Sequence, residues 1–109
     1  MLFGCGGNRD KGKRPEMGKI ASKLADRVII TDDNPRNEKP EDIRKEVISG
    51  CINKNYIEVS DRKIAIKTAI EMLEKDDILL IAGKGHEKTQ IIGDKTIEFD
   101  DVKIAREFV

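Results

Sequence analysis

Ile78-Leu79-Leu80-Ile81-Ala82-Gly83-Lys84-Gly85-His86-Glu87 is a continuous apolar run that empties into a glycine-rich polar loop. A run of this kind predicts a strand buried on both faces, central in a parallel sheet, because both sides of such a strand are covered by helices. Upstream, Asp61 is placed to cap a helix carrying Ile64, Ala65, Ala69, Ile70, Met72 and Leu73, and Tyr56-Ile57-Glu58-Val59 before it alternates as a strand. Further back, Pro40 opens a helix with Ile43, Val47, Ile48, Cys51 and Ile52 at helical spacing. Val28-Ile29-Ile30-Thr31 is short and β-branched, which predicts a buried strand. A helix from about Arg14 carries the stripe Met17, Ile20, Ala21, Leu24 and Ala25, and Met1 to Cys5 reads as the first strand. Downstream, Thr89 to Ile92 and Thr96 to Phe99 flank Gly93-Asp94-Lys95 as a hairpin, and Asp100 or Asp101 caps a last helix through Val102, Ile104, Ala105 and Phe108. Strand and helix alternate throughout. The fold class is therefore α/β, a sandwich with a mostly parallel sheet and an antiparallel edge hairpin.

The 109 residues suffice for one core. Lys plus Arg and Asp plus Glu each number 21, so the formal charge is zero. That balance predicts no nucleic-acid partner and no membrane-surface role, both of which need a basic excess. No run reaches the ~20 apolar residues of a membrane span, and Met1-Leu2-Phe3 meets Gly4 too early for a signal peptide, so the expected location is cytoplasmic. Cys5 and Cys51 lack metal spacing and sit among apolar residues, where buried thiols are expected.

In an open α/β sheet, ligands bind outside the carboxyl ends of the strands. Three polar loops follow strand ends here: Gly6 to Lys13, Asp33-Asn34-Pro35-Arg36, and Gly83 to Glu87. They supply Arg9, Arg36 and Lys84 as cations, Glu87 as an anion and Asn34 as an amide. Pro35 fixes a rigid corner from which Arg36 can take a carboxylate bidentately. An amino-acid head group needs this mixture, a guanidinium for its carboxylate and a carboxylate or carbonyl for its ammonium. Two other readings compete. Gly4-Cys5-Gly6-Gly7 with Asp32-Asp33 resembles half of a dinucleotide fingerprint, which leaves a stand-alone nucleotide-binding module as the alternative, but Arg9 occupies the place of the third glycine. Gly83-Lys84-Gly85 lacks the spacer and the Ser or Thr of a phosphate loop. His86 could act as a general base, although no partner for it is apparent in the sequence. Arg14, Lys19, Lys23 and Arg27 read as a solvated helix face.

Gly4 to Met17, Thr31-Asp32-Asp33-Asn34-Pro35-Arg36 and Ala82-Gly83-Lys84-Gly85-His86-Glu87, in this order, resemble the C-terminal domain of the Mur ligase family. Asp61-Arg62 with Ala65-Ile66, and Phe99-Asp100-Asp101 with Ala105-Arg106, match minor family patterns, so the resemblance covers essentially the whole chain. It implies a Rossmann-like three-layer domain that binds the incoming amino acid during peptidoglycan synthesis. In the family, the Asp-Asn-Pro-Arg motif marks members that add meso-diaminopimelate rather than lysine. Carried over position by position, the substrate-binding set is Arg9, Asp33, Asn34, Pro35, Arg36, Gly83 and Glu87, with no catalytic residue and no metal ligand. The resemblance further implies an ATP-dependent, magnesium-using ligase whose other substrate is a UDP-N-acetylmuramoyl dipeptide. ATP, magnesium and the nucleotide sugar belong to the family's central and N-terminal domains, which this sequence does not contain. It also lacks the first strand of the C-terminal domain, so the 109 residues alone are expected to bind no cofactor and to be inactive. Asn8 stands where the family usually has aspartate.

Overall fold

The computed structural model describes residues 1–9, 11–84 and 87–109. Its elements run β1 (Leu2–Phe3), α1 (Lys13–Leu24), β2 (Val28–Ile30), α2 (Pro40–Ser49), β3 (Tyr56–Glu58), α3 (Arg62–Glu71), β4 (Thr89–Ile92), β5 (Lys95–Glu98) and α4 (Asp101–Phe108). The first three strands form a parallel sheet in the order β1-β2-β3, with Leu2 opposite Ile29 and Val28 opposite Tyr56. Successive strand side chains point to opposite faces, and this builds two core clusters. Leu2 and Ile29 pack with Ala65, Ile66, Ala69, Phe99 and Ile104 under α3 and α4. Phe3, Val28 and Ile30 pack with Ala21 and Val47 under α1 and α2. The result is the expected α/β three-layer sandwich. The hairpin β4-β5 is antiparallel as expected, and it pairs as its own two-stranded sheet.

The run Ile78 to Ala82 departs from its reading as a central strand. Among the described residues its one ladder contact is a parallel bridge from Ile81 to Leu2, which puts it outside β1 at the margin of the sheet. Leu2 N–H donates to the Leu80 carbonyl at 2.8 Å, and Ala82 N–H donates to the Leu2 carbonyl at 2.9 Å. Ile78 is 92% exposed and Leu80 57%. A central strand has a hydrogen-bonded neighbour along each edge, and among the described residues this run has one.

Helix α1 is rotated from its expected stripe. Gly18, Ala21 and Ser22 are buried, whereas Ile20 and Leu24 are exposed. Close packing against α2 decides this. A Cβ on Gly18 would lie 2.0 Å from the Val47 carbonyl oxygen, and one on Gly50 would lie 1.8 Å from that of Pro15. Backbone therefore meets backbone, and small residues take the contact face. Local signals fared better: Asp61 caps α3 by accepting from Ile64 N–H at 3.0 Å, and Asp100 caps α4 by accepting from Val102 N–H at 3.0 Å. Both cysteines are free and half-buried rather than fully buried, and burial raises the Cys5 thiol to about 11.

Candidate functional site

The loops after β1, after β2 and after Ala82 meet at one rim. Gly7 N–H donates to the Asn34 carbonyl at 2.7 Å, tying the first loop to the second. Glycine is required at this crossing: a Cβ on Gly4 would lie 2.4 Å from the Thr31 carbonyl oxygen, and one on Gly7 would lie 1.7 Å from that of Pro35. The hairpin holds the corner from its other side. Arg36 N–H donates to the Ile91 carbonyl at 3.0 Å, Gly93 N–H to the Arg36 carbonyl at 2.5 Å, and Gln90 Nε2 to the Asp33 carbonyl at 2.7 Å. These bonds keep Arg36 in the left-handed region, φ 53°, a conformation that costs a non-glycine residue about 1–3 kcal/mol and survives only where its surroundings over-determine it.

At this corner Asn34 is the hub. Its backbone carbonyl accepts from Arg36 Nη1 at 3.3 Å, and the same nitrogen donates to the Gly7 carbonyl at 3.0 Å. Its Nδ2 donates to Glu87 Oε2 at 3.1 Å. Its Oδ1 accepts from Lys84 Nζ and from Ile91 N–H, each at 3.0 Å. Arg36 and Glu87, opposite in charge, thus both touch one residue. Arg9 is exposed and shares the space over Gly6 with Arg36: a Cβ on Gly6 would stand 2.9 Å from Arg36 Nη1 and 3.3 Å from Arg9 Cγ. Asp33, Asn34 and Pro35 are buried, Arg36 is half-buried, and Glu87 and Gly83 are exposed. Gly83 has φ 112° and lies against Asp33, whose Oδ2 a Cβ there would meet at 2.8 Å. Every expected site residue is therefore described and stands on this rim. Gly85 and His86, the candidate general base, lie outside the described residues, as does Asp10.

Charge compensation is uneven across the rim. Lys84 is fully buried, with Nζ 3.8 Å from Asp33 and 3.9 Å from Glu87. Burial lowers its pKa and raises that of Asp33, in each case against the pull of the opposite charge. Asp32 is engaged elsewhere, accepting from Arg44 Nη1 at 2.5 Å while Arg44 Nε reaches Glu58 at 2.7 Å. An acidic residue held in this way is not available to a ribose, which removes the main support for the dinucleotide reading.

Beside the rim lies an ion cluster that corrects the reading of Arg14. That side chain is buried rather than solvated, donating to Glu38 at 2.7 Å, to Glu46, and to the Gly6 carbonyl at 3.0 Å. Asn8 N–H also donates to Glu38, at 2.6 Å. Asn8 sits at φ 54°, which asparagine tolerates better than most residues. The Arg14 bond, followed by the Asn8 bond, lowers the Glu38 pKa to about 2 from 4.5. A carboxyl lowered on folding adds stability that is present above its unfolded value and lost as pH falls toward the folded one. Glu38→Gln is therefore expected to be less stable than the parent at pH 7 and to match it near pH 2, with the difference fading between about 4.5 and 2. Urea midpoints across that range measure it; a gap that stays constant with pH would contradict it.

Gln90 and Ile91 support the corner although little in the sequence marks them for it. Gln90 carries one faint signal, a polar residue flanked by β-branched ones. Among the described residues no group of three or more His, Cys, Asp or Glu could hold a metal, and no helix is long and apolar enough to cross a membrane.

A parallel α/β sheet with a rigid, oppositely charged corner at its carboxyl rim places the chain among α/β domains that carry a polar rim beyond their strand ends. Residues 1–85 match the family model described as Mur ligase, glutamate ligase domain, and the chain belongs to this family. A relative from Rickettsia bellii (strain RML369-C), a UDP-N-acetylmuramoyl-L-alanyl-D-glutamate–2,6-diaminopimelate ligase, is 65% identical over 105 residues, covering 96% of this chain and 22% of the relative. A Clostridium acetobutylicum protein of the same name, numbered 1, is 56% identical over 108 residues, covering 99% of this chain and 22% of the relative. A solved structure bearing that ligase's name superposes with a TM-score of 0.91 at 45% identity, over 97% of this chain and 22% of the other. The chain thus spans about a fifth of the length of the relatives it matches.

Proposed function

We propose that this chain is the amino-acid-binding domain of a cytoplasmic ATP-dependent ligase that joins meso-diaminopimelate to UDP-N-acetylmuramoyl-L-alanyl-D-glutamate in peptidoglycan synthesis. The observation that carries this reading is the corner itself, where Arg36 and Glu87 flank the buried Asn34. The names of the relatives support the same substrate. Arg9, Arg36 and the Asn34 amide take the carboxylate of the ligand's distal pole, and Glu87 with the Gly83 carbonyl takes its ammonium. Asp33 and Pro35 hold the turn in place. Selectivity follows from the same groups: lysine has no second carboxylate, so the two arginines would be desolvated without a partner on binding it.

This chain's own residues do not fit the other components of the reaction. The two carboxylates of the corner already face Lys84, a poor start for a magnesium site, and Lys84 itself is buried among carboxylates rather than offered to a phosphate. In the complete ligase, ATP with magnesium would supply the activation of the glutamate carboxylate, and it would be held outside these 109 residues. What the 109 residues contribute is the placing of the attacking amine, which turns a bimolecular encounter into a nearly unimolecular one.

Titrating the chain separately with meso-diaminopimelate, lysine and NAD tests the reading. Diaminopimelate is expected to bind, and lysine and NAD to bind far more weakly or not at all. Arg36→Ala is expected to weaken diaminopimelate binding by about 1.5 kcal/mol or more, roughly tenfold, as for a lost charge-assisted hydrogen bond, with the fold retained. Preference for NAD, or equal binding of lysine, would overturn it.

A further inference from the structure

We propose that Lys84 is a positioning residue that fixes the orientation of the Asn34 side-chain amide so that the site offers only N–H donors, and hence a carboxylate-reading group, at its centre. The proposal rests on the preceding reading for the ligand and goes beyond it in assigning a task to a buried side chain.

An asparagine amide is nearly symmetric in shape, so its two ends are told apart only by their partners. Here the partners are unequal. Oδ1 receives two donors, Lys84 Nζ and Ile91 N–H, each at 3.0 Å, and a carbonyl oxygen with two lone pairs is then saturated. Nδ2 is left on the other side, with one N–H on Glu87 Oε2 at 3.1 Å and the second free of any partner among the described residues. Reversing the amide would aim N–H groups at an ammonium and at a backbone N–H, and an oxygen at a carboxylate. All three contacts would turn repulsive. Of the two donors that prevent this, Ile91 N–H is fixed by the hairpin, and Lys84 is the one supplied by a side chain.

The position of Lys84 is as constrained as its role requires. Its side chain is 0% exposed, and Asp33 and Glu87 stand on either side of it at 3.8 and 3.9 Å. One ammonium thereby compensates two carboxylates and orients the amide between them. A buried lysine serving charge balance alone would need no bond to Asn34; one offered to a ligand would not be 0% exposed.

Lys84→Met keeps the apolar stem and removes the donor and the charge. In the ligand-free chain labelled with 15N, the two Asn34 Nδ2–H signals of the parent are expected to be well separated and slow to exchange, and in Lys84→Met to collapse toward the values of a solvated amide. Diaminopimelate affinity is expected to fall about tenfold while the weak binding of lysine stays within about twofold, so that discrimination between the two is lost; a general loosening of the site would weaken both together. Lys84→Gln, which keeps an N–H donor without the charge, is expected to restore the Asn34 signals and most of the discrimination, and it carries the test if Lys84→Met does not fold. Asn34 signals unchanged by Lys84→Met, or a fall in affinity shared equally by both ligands, would overturn the proposal. If the parent chain binds no diaminopimelate, the functional reading fails, and the hold of Lys84 on Asn34 is still decided by the ligand-free signals.

Discussion

Arg62→Met is expected to cost the fold about 3–5 kcal/mol, the range found when one partner of a buried ion pair is removed. Arg62 is fully enclosed and grips Asp101 bidentately, Nε to Oδ1 at 2.8 Å and Nη2 to Oδ2 at 2.7 Å. It also donates to the Asp32 carbonyl at 3.0 Å and to the Ala82 carbonyl at 3.1 Å. A single guanidinium therefore joins the start of α3 to the start of α4 and to the ends of two chain segments that lead into the site. Methionine fills the volume but leaves a buried carboxylate and two carbonyls without donors. Urea unfolding at neutral pH should show the loss as a lower midpoint at unchanged slope. Arg62→Met combined with Asp101→Leu should recover part of it, because an apolar pair leaves no orphaned charge. A loss below about 1 kcal/mol for the single change would contradict the assignment.

The second large effect is a contrast between neighbouring glycines. A Cβ on Gly7 would lie 1.7 Å from the Pro35 oxygen and 2.5 Å from its carbonyl carbon, so backbone must move. Gly7→Ala is expected to break the bond from Gly7 N–H to Asn34 and to destabilise the chain by about 3 kcal/mol, the upper range for overpacking, and to abolish the diaminopimelate binding proposed above. At Gly6, by contrast, the nearest atoms are Arg36 Nη1 and Arg9 Cγ, both on side chains that can swing. Gly6→Ala is expected to keep stability within about 1 kcal/mol and to weaken ligand binding by displacing the arginines. Thermal unfolding and ligand titration of the two variants separate the cases; equal stability losses would contradict the geometry.

What could be read from the sequence was local. Val28 to Ile30, the caps at Asp61 and Asp100 and the helix opened by Pro40 all lie where short-range chemistry puts them. The three loops of the candidate site could also be placed on one rim, because in a parallel sheet the strand ends share a side. The errors share one cause, dependence on partners remote in sequence. Arg14 looks like a surface charge until Glu38 and Glu46, 24 and 32 residues away, come to meet it. The run Ile78 to Ala82 looks central because apolar composition reports an aptitude for burial, whereas burial itself depends on what stands alongside. Met17, Ile20 and Leu24 form a good helical stripe, yet the face of α1 that packs is set by how near α2 can come. Lys84 and Gln90 gain their tasks from Asn34 and Asp33, 50 and 57 positions distant.

That near approach also governs the rim. With a main-chain oxygen of each helix occupying the place where the other's side chain would begin, the spacing of α1 and α2 is set by hard contact and cannot be tuned by exchanging one hydrocarbon for another. Arg14 rides on α1, Glu46 rides on α2, and Glu38 just ahead of α2 reaches back to the Asn8 amide. The loop that bears Arg9 thus inherits its height above the sheet from a rigid helical chassis, and a substitution on the far side of that chassis would be felt as a tilt of the ligand's cradle.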